Sequence, residues 1–147
     1  MIEKPNRIAA ILALAFALAV LPAHAAPRVF LANSYGARGD GSALDTAAIQ
    51  QAIDKAAPAH GTVTFNPGTY LTGSLFLRSG VTLNVPAGVT LIGSQHLADY
   101  PILPTRIAGI EMPWPAALIN VRDQHNVTIT GKGVIDGDGP IWWKSYW

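Results

Sequence analysis

The chain has 147 residues, 10 Lys plus Arg against 9 Asp plus Glu, 50% hydrophobic residues and no cysteine. A charge so near balance gives no reason to expect nucleic acid or an anionic membrane surface as a partner. The lack of cysteine excludes the disulfide scaffolds of small exported proteins, so a folded domain here must be held by its own apolar core.

Met1 to Arg7 is short and polar, with Lys4 and Arg7 against Glu3; an unbroken apolar run follows from Ile8 to Leu21, then Pro22 and Ala23-His24-Ala25. A basic start, an apolar stretch and a small-residue A-x-A site are the parts of a secretory signal peptide. A membrane anchor is the competing reading, but spanning takes about 20 apolar residues, and this run is shorter and meets Pro22. Residues 1–25 are thus predicted to be a leader cleaved after Ala25, with Ala26 as the alternative. The mature chain, 26–147, is expected in the periplasm or the medium. Without the leader it holds eight basic and eight acidic residues, so neither nucleic acid nor membrane is expected as its partner.

Tyr35-Gly36-Ala37-Arg38-Gly39-Asp40-Gly41 is too rich in glycine for a regular element and reads as a turn. Ile49, Ala52, Ile53 and Ala56 then recur on one face of a predicted helix, which Asp45 or Thr46 can cap and Pro58 stops. It is the one predicted helix of the mature chain.

From Gly61 onward the apolar period changes to two. Val63-Thr64-Phe65, Val81-Thr82-Leu83, Val89-Thr90-Leu91 and Val127-Thr128-Ile129 repeat one apolar-Thr-apolar triplet, three of them preceded by Gly80, Gly88 or Asn126. Further short apolar stretches are Ser74-Leu75-Phe76-Leu77, Leu118-Ile119-Asn120-Val121 and Val134-Ile135. A sandwich or barrel would need longer strands joined by tight hairpins. A solenoid needs very short strands and triplets that return once per coil. Val63 and Val81 are eighteen apart, and Thr69-Tyr70-Leu71 and Val89-Thr90-Leu91 are twenty apart. Such offsets suit a three-faced coil, so the solenoid is the favoured architecture, with the helix covering the open end of its first coil.

Residues 94–117 interrupt the repeat, and Pro101, Pro104, Pro113 and Pro115 argue against a regular ladder there. A long insertion in a compact domain is usually functional. This one carries Arg106, Glu111, Met112 and Trp114, a mixture suited to lining a carbohydrate cleft: the guanidinium could pair with a carboxylate and the indole could stack on a sugar ring. A surface ion pair and a packed aromatic are the competing reading.

Taken together these stretches resemble glycoside hydrolase family 28, the polygalacturonases and their relatives. The resemblance rests on Tyr35-Gly36-Ala37 through Asp40-Gly41, Asp45 to Ile53, Gly61-Thr62-Val63 with Pro67-Gly68-Thr69-Tyr70, and Gly73 to Ser79. It closes on Asn126 to Gly131, Gly133 to Gly137 and Trp142-Trp143. It implies an all-β, right-handed parallel β-helix with a short N-terminal capping helix, acting as a monomer and without cofactor. The implied reaction is hydrolysis of α-1,4-galacturonosyl linkages with inversion, on pectin or an oligogalacturonide. Inversion takes one carboxylic acid for the leaving oxygen and one carboxylate for the water on the opposite face. The family carries these groups in Asn-Thr-Asp and Asp-Asp motifs, with Gly-His-Gly and Arg-Ile-Lys following; none of the four occurs in this chain. Residues 26–147 are therefore expected to be the first coils of the β-helix, incomplete at the C-terminal end and inactive alone.

Asp136 and Asp138, two apart on a strand, could share a face and act as an acid/base pair. A turn in which Asp side chains bond nearby N–H groups is the favoured reading. His60, His96 and His125 show no metal-ligand spacing and read as loop residues, and Asp40 reads as a turn residue. Trp142, Trp143, Tyr146 and Trp147 suit either a sugar platform or packing against a further coil. Two other functions stay open: a pectate-lyase-like enzyme, which would need a calcium site of clustered carboxylates, and a non-enzymatic carbohydrate-binding β-helix.

Overall fold

The computed structural model describes residues 28–146, so the predicted leader at 1–25 lies outside the described residues. Twelve strands and two helices follow one another in short steps. They are β1 (Val29–Leu31), β2 (Asp40–Leu44), α1 (Thr46–Ala56), β3 (Thr62–Thr64), β4 (Gly68–Thr72) and β5 (Leu75–Phe76). After them come β6 (Thr82–Asn84), β7 (Val89–Gly93), β8 (Ile102–Ile107), β9 (Ile110–Pro115), β10 (Ile119–Asn120), β11 (Thr128–Thr130), β12 (Val134–Asp136) and α2 (Pro140–Tyr146).

The pairing is that of a parallel β-helix. One sheet runs β1-β3-β6-β11, a second β2-β4-β7-β12 and a third β5-β10, all parallel. Each coil places one strand in each of the two four-stranded sheets, and the two middle coils add one each to the third, so residues far apart in sequence stack directly. Phe30, Val63, Leu83 and Ile129 form one inward row, and Tyr70, Leu91 and Ile135 another. Thr62, Thr82 and Thr128 make an outward row beside the first. The alternation expected of half-buried strands is thus met: Val63 and Leu83 are buried while their neighbours Thr62, Thr64, Thr82 and Asn84 are half-buried.

The coil length differs from the sequence estimate. Thr62 pairs with Thr82, an offset of twenty rather than eighteen, and Thr69 pairs with Thr90, twenty-one rather than twenty. The corners decide it. His60, Gly80 and Asn126 lie two residues before β3, β6 and β11, and all three have positive φ, 47°, 77° and 54°. Gly and Asn enter this region at low cost and His is enriched there. The turn residue, more than the triplet, therefore sets the register.

Five elements went unread in the sequence: β1, β2, β8, β9 and α2. β1 and β2 form the first coil, with an irregular step between the Asp40–Thr69 and Leu44–Leu71 pairs. The stretch 36–41 is a turn only as far as Gly39. α2 is a second helix, against the single one expected.

Helix α1 caps the first coil. It buries Ile49, Ala52, Ile53 and Ala56 in the core, and its polar side chains finish the sheets. The Gln50 amide donates to the Phe76 carbonyl at 2.9 Å and accepts from the Phe76 N–H at 2.9 Å, standing in for the missing neighbour strand of β5. Thr46 Oγ1 accepts from Gly73 N at 2.7 Å. Asp45 occupies the N-cap position without capping by its side chain. Its buried carboxylate accepts from Arg38 N at 2.8 Å and Gly39 N at 3.0 Å, tying down the glycine-rich turn.

Candidate functional site

The insertion at 94–117 is ordered. β8 and β9 pair antiparallel with Ile107 opposite Ile110, so the turn is Ala108-Gly109, with φ of 50° and 87°. Two successive positive φ values make a type I′ hairpin, whose flanking residues form the hydrogen-bonded pair. Counting back from that pair, Pro104, Pro113 and Pro115 all fall in non-hydrogen-bonded pairs, where a strand needs no N–H. Three of the four prolines that argued against a ladder are compatible with this one for that reason, and Pro101 lies just before β8. Ala116 N donates to Pro101 O at 2.9 Å and closes the hairpin base.

Tyr100 anchors the base. It is buried, its hydroxyl donates to the Ser94 carbonyl at 2.9 Å, and its ring meets Trp142 edge-on with centroids 4.9 Å apart. That contact seats α2 against the foot of the hairpin. Burial first, then the charges of Asp99 and Asp138, push the Tyr100 phenol above its ordinary range, which keeps it a donor. The Ser94 hydroxyl donates to the Asp99 carboxylate, and Ser74 N to the Asp99 carbonyl, fixing the loop that feeds the hairpin.

Two clefts flank the hairpin. The larger, about 1050 Å³, lies between it and α2, with Leu103, Trp114, Tyr100, Asp136, Asp138 and Trp143 in its walls. The smaller, about 520 Å³, is walled by Arg106, Glu111, Met112, Pro104 and Pro113. Arg122 and Pro104 border both.

The three insertion residues are therefore divided. Arg106 and Glu111 are a cross-strand pair on one face of the hairpin, and Trp114, paired with Leu103, is on the other. No ion pair joins Arg106 to Glu111 among the described residues, where Arg78–Asp54 at 2.8 Å is the salt bridge. Arg106 Nε donates instead to the Gly109 carbonyl at 3.2 Å.

Asp136 and Asp138 both face the larger cleft, but they make a turn. Asp138 N donates to Asp136 Oδ1 at 2.9 Å, and Asp138 has φ of 44°. Trp142 packs on Tyr100, while Trp143 is 65% exposed in the cleft wall. The histidines lie at turns: His60 at a coil corner, His96 with its N–H on Ser94 Oγ, His125 with Nδ1 3.2 Å from Ser79 Oγ. Among the described residues no group of three His, Asp or Glu side chains is placed to hold a metal ion. Asp40 is the turn residue expected, its carboxylate accepting from Ser42 N and Ala43 N at 2.9 and 2.8 Å.

Sequence reasoning overlooked Tyr100 and Arg122. A large aromatic between a polar loop and Pro101 was a readable sign of an anchor. Arg122 carries no local pattern; only the coil count places it beside the insertion.

A family model described as rhamnogalacturonase A/epimerase, pectate lyase-like, matches residues 30–106. An exo-poly-alpha-D-galacturonosidase of Dickeya chrysanthemi is 41% identical over 128 residues, 82% of this chain and 21% of that protein. The family 28 exopolygalacturonase of Yersinia enterocolitica superposes with a TM-score of 0.68 at 42% identity, covering 78% of this chain and 21% of that one. A hyperthermoactive exopolygalacturonase from Thermotoga maritima gives 0.69 at 32% identity, over 76% of this chain and 25% of its own. The chain thus spans about a fifth to a quarter of the length of these relatives. With its stacked parallel coils, it belongs to the rhamnogalacturonase A/epimerase, pectate-lyase-like family and carries part of the β-helix fold of glycoside hydrolase family 28.

Proposed function

We propose that these coils serve an exported polygalacturonase-type hydrolase acting on the galacturonan of plant cell walls. The observation that carries this is the 42% identity and TM-score of 0.68 to a family 28 exopolygalacturonase over 78% of the chain. The apolar run Ile8–Leu21 before Ala23-His24-Ala25 supports export.

In this reading the coils scaffold the substrate without performing the bond cleavage. Inversion takes two carboxyl groups about 6.5–9.5 Å apart on opposite sides of the scissile bond. Asp136, whose carboxylate holds the Asp138 N–H, is committed to its turn. Trp114 offers a ring to a sugar face on one side of the hairpin, and Arg106 and Glu111 offer a cation and a hydroxyl acceptor on the other. The purified chain should release no reducing ends from polygalacturonate. Hydrolysis that disappears in Asp136→Asn or Asp138→Asn would refute this and make the turn catalytic.

A further inference from the structure

Arg122 is exposed, pairs with nothing among the described residues, and borders both clefts. The strand that ends two residues before it, by contrast, is held. Asn120 Oδ1 accepts from Ala117 N at 3.1 Å, and its amide donates to Ala117 O at 2.7 Å and Leu75 O at 3.2 Å. Phe76 and Asn120 are paired in the β5–β10 ladder, with Leu77 N donating to Asn120 O at 2.9 Å. Asp123 turns the chain sharply with φ of 53°. An uncommitted guanidinium two residues beyond an anchored strand is a candidate binding group, because the anchor limits the order a ligand must impose.

Its surroundings say which ligand. In the smaller cleft Arg122 joins Arg106, whose Nε is anchored on Gly109 O, and Glu111 across the hairpin. Two guanidiniums and one carboxylate leave a net positive charge, with Met112, Pro104 and Pro113 supplying apolar walls. Planar guanidinium forks match a carboxylate in paired hydrogen bonds, and a carboxylate side chain accepts from hydroxyls. The larger cleft is different: Asp136 and Asp138 set two negative charges there, which disfavour an anion. We propose that Arg122, with Arg106 and Glu111, forms a subsite that reads the carboxylate of a uronic-acid residue in the smaller cleft. Arg106 and Arg122 take the carboxylate, and Glu111 takes ring hydroxyls. This deepens the galacturonan reading above and rests on it for the choice of sugar.

The test titrates the full chain with trigalacturonate, following shifts of the Arg side-chain N–H signals by NMR. Methyl-esterified trigalacturonate, which has the same rings without the charges, is titrated in parallel, as is triglucuronate. Trigalacturonate should bind more tightly than its ester. Arg122→Gln should weaken the acid by about tenfold, the scale of one hydrogen-bonded charge, and leave the ester unchanged. Arg122→Lys should restore only part, since a point charge lacks the fork. Circular dichroism melts of both variants confirm the fold. Equal affinity for acid and ester, or an Arg122→Gln chain that binds trigalacturonate as the parent does, would overturn the proposal. Triglucuronate bound equally well, with the same dependence on Arg122, would keep the carboxylate-reading subsite while removing the galacturonan specificity.

Discussion

Replacing Gln50 by Ala removes a surrogate strand from the open edge of the third sheet. The Gln50 amide makes two hydrogen bonds to the Phe76 backbone, both 2.9 Å, and one of 3.1 Å to the exposed Asp54. Phe76 is half-buried, so water partly replaces what is lost. At about 1 kcal/mol net for each backbone bond the cost is about 2 kcal/mol, and Ala regains a few tenths through its better helix propensity. A loss of about 1.5–2 kcal/mol lowers the melting temperature by several degrees in a domain of this size. The second consequence is local. β5 becomes an edge with unpaired N–H and C=O groups, which invites pairing with another molecule. Hydrogen exchange followed by NMR should show the Phe76 amide losing protection while the Val63 and Leu91 amides keep theirs. Sedimentation should show added self-association, and Gln50→Glu, which keeps the acceptor and loses the donor, should fall between the two. An unchanged melting temperature together with unchanged Phe76 protection would refute the surrogate-strand reasoning.

Tyr70→Phe strips the hydroxyl that donates to Asn66 O at 2.8 Å and lies 3.1 Å from Asn33 Oδ1, at a fully buried site. It should cost about 1–3 kcal/mol by urea denaturation, and a loss under a few tenths would contradict that. Gly131→Ala should be worse, since φ is 112° and an added Cβ would collide with the Val85 carbonyl. Cooperative unfolding at an unchanged temperature would show the corner to be plastic. Backbone N–H groups of Ala43, then Ser42, and then the Ser42 hydroxyl hold the Asp40 carboxyl below its ordinary pKa of 3.8. Because the folded value is the lower one, this stabilisation is complete above the unfolded-state value and is lost as pH falls through the folded one. Side-chain titration by NMR should give a midpoint below 3.8, and a midpoint above it would contradict the turn geometry.

Much of the fold was legible because strand periodicity is local chemistry. Val, Leu and Ile alternating with Thr specify a half-buried strand wherever they stand, and the triplets at 81, 89 and 127 overlap β6, β7 and β11. Register was less legible, for a physical reason. A period-two pattern is unchanged by a slip of two residues, so Val81 and Leu83 were equally good partners for Val63 until the positive-φ corners fixed the choice. The Asp45 cap failed similarly: its place before the helix was visible, while the competing Arg38 and Gly39 N–H groups came from a turn that only folding brings near.

By itself, then, the sequence determined a solenoid of short strands, a capping helix, a proline-rich interruption of the repeat and the family to which these belong. Those features follow from residue spacing, which acts over a few positions. Tertiary structure alone decided where the insertion's side chains face. Whether a proline falls in a hydrogen-bonded or an open pair depends on the turn at Ala108-Gly109, and that same parity sends Arg106 and Glu111 to one face of the hairpin and Trp114 to the other. It also set Arg122 in the wall of the cleft that Arg106 lines, and Tyr100 edge-on to Trp142. Strand character is written in neighbours along the chain, whereas a site is written in neighbours across it.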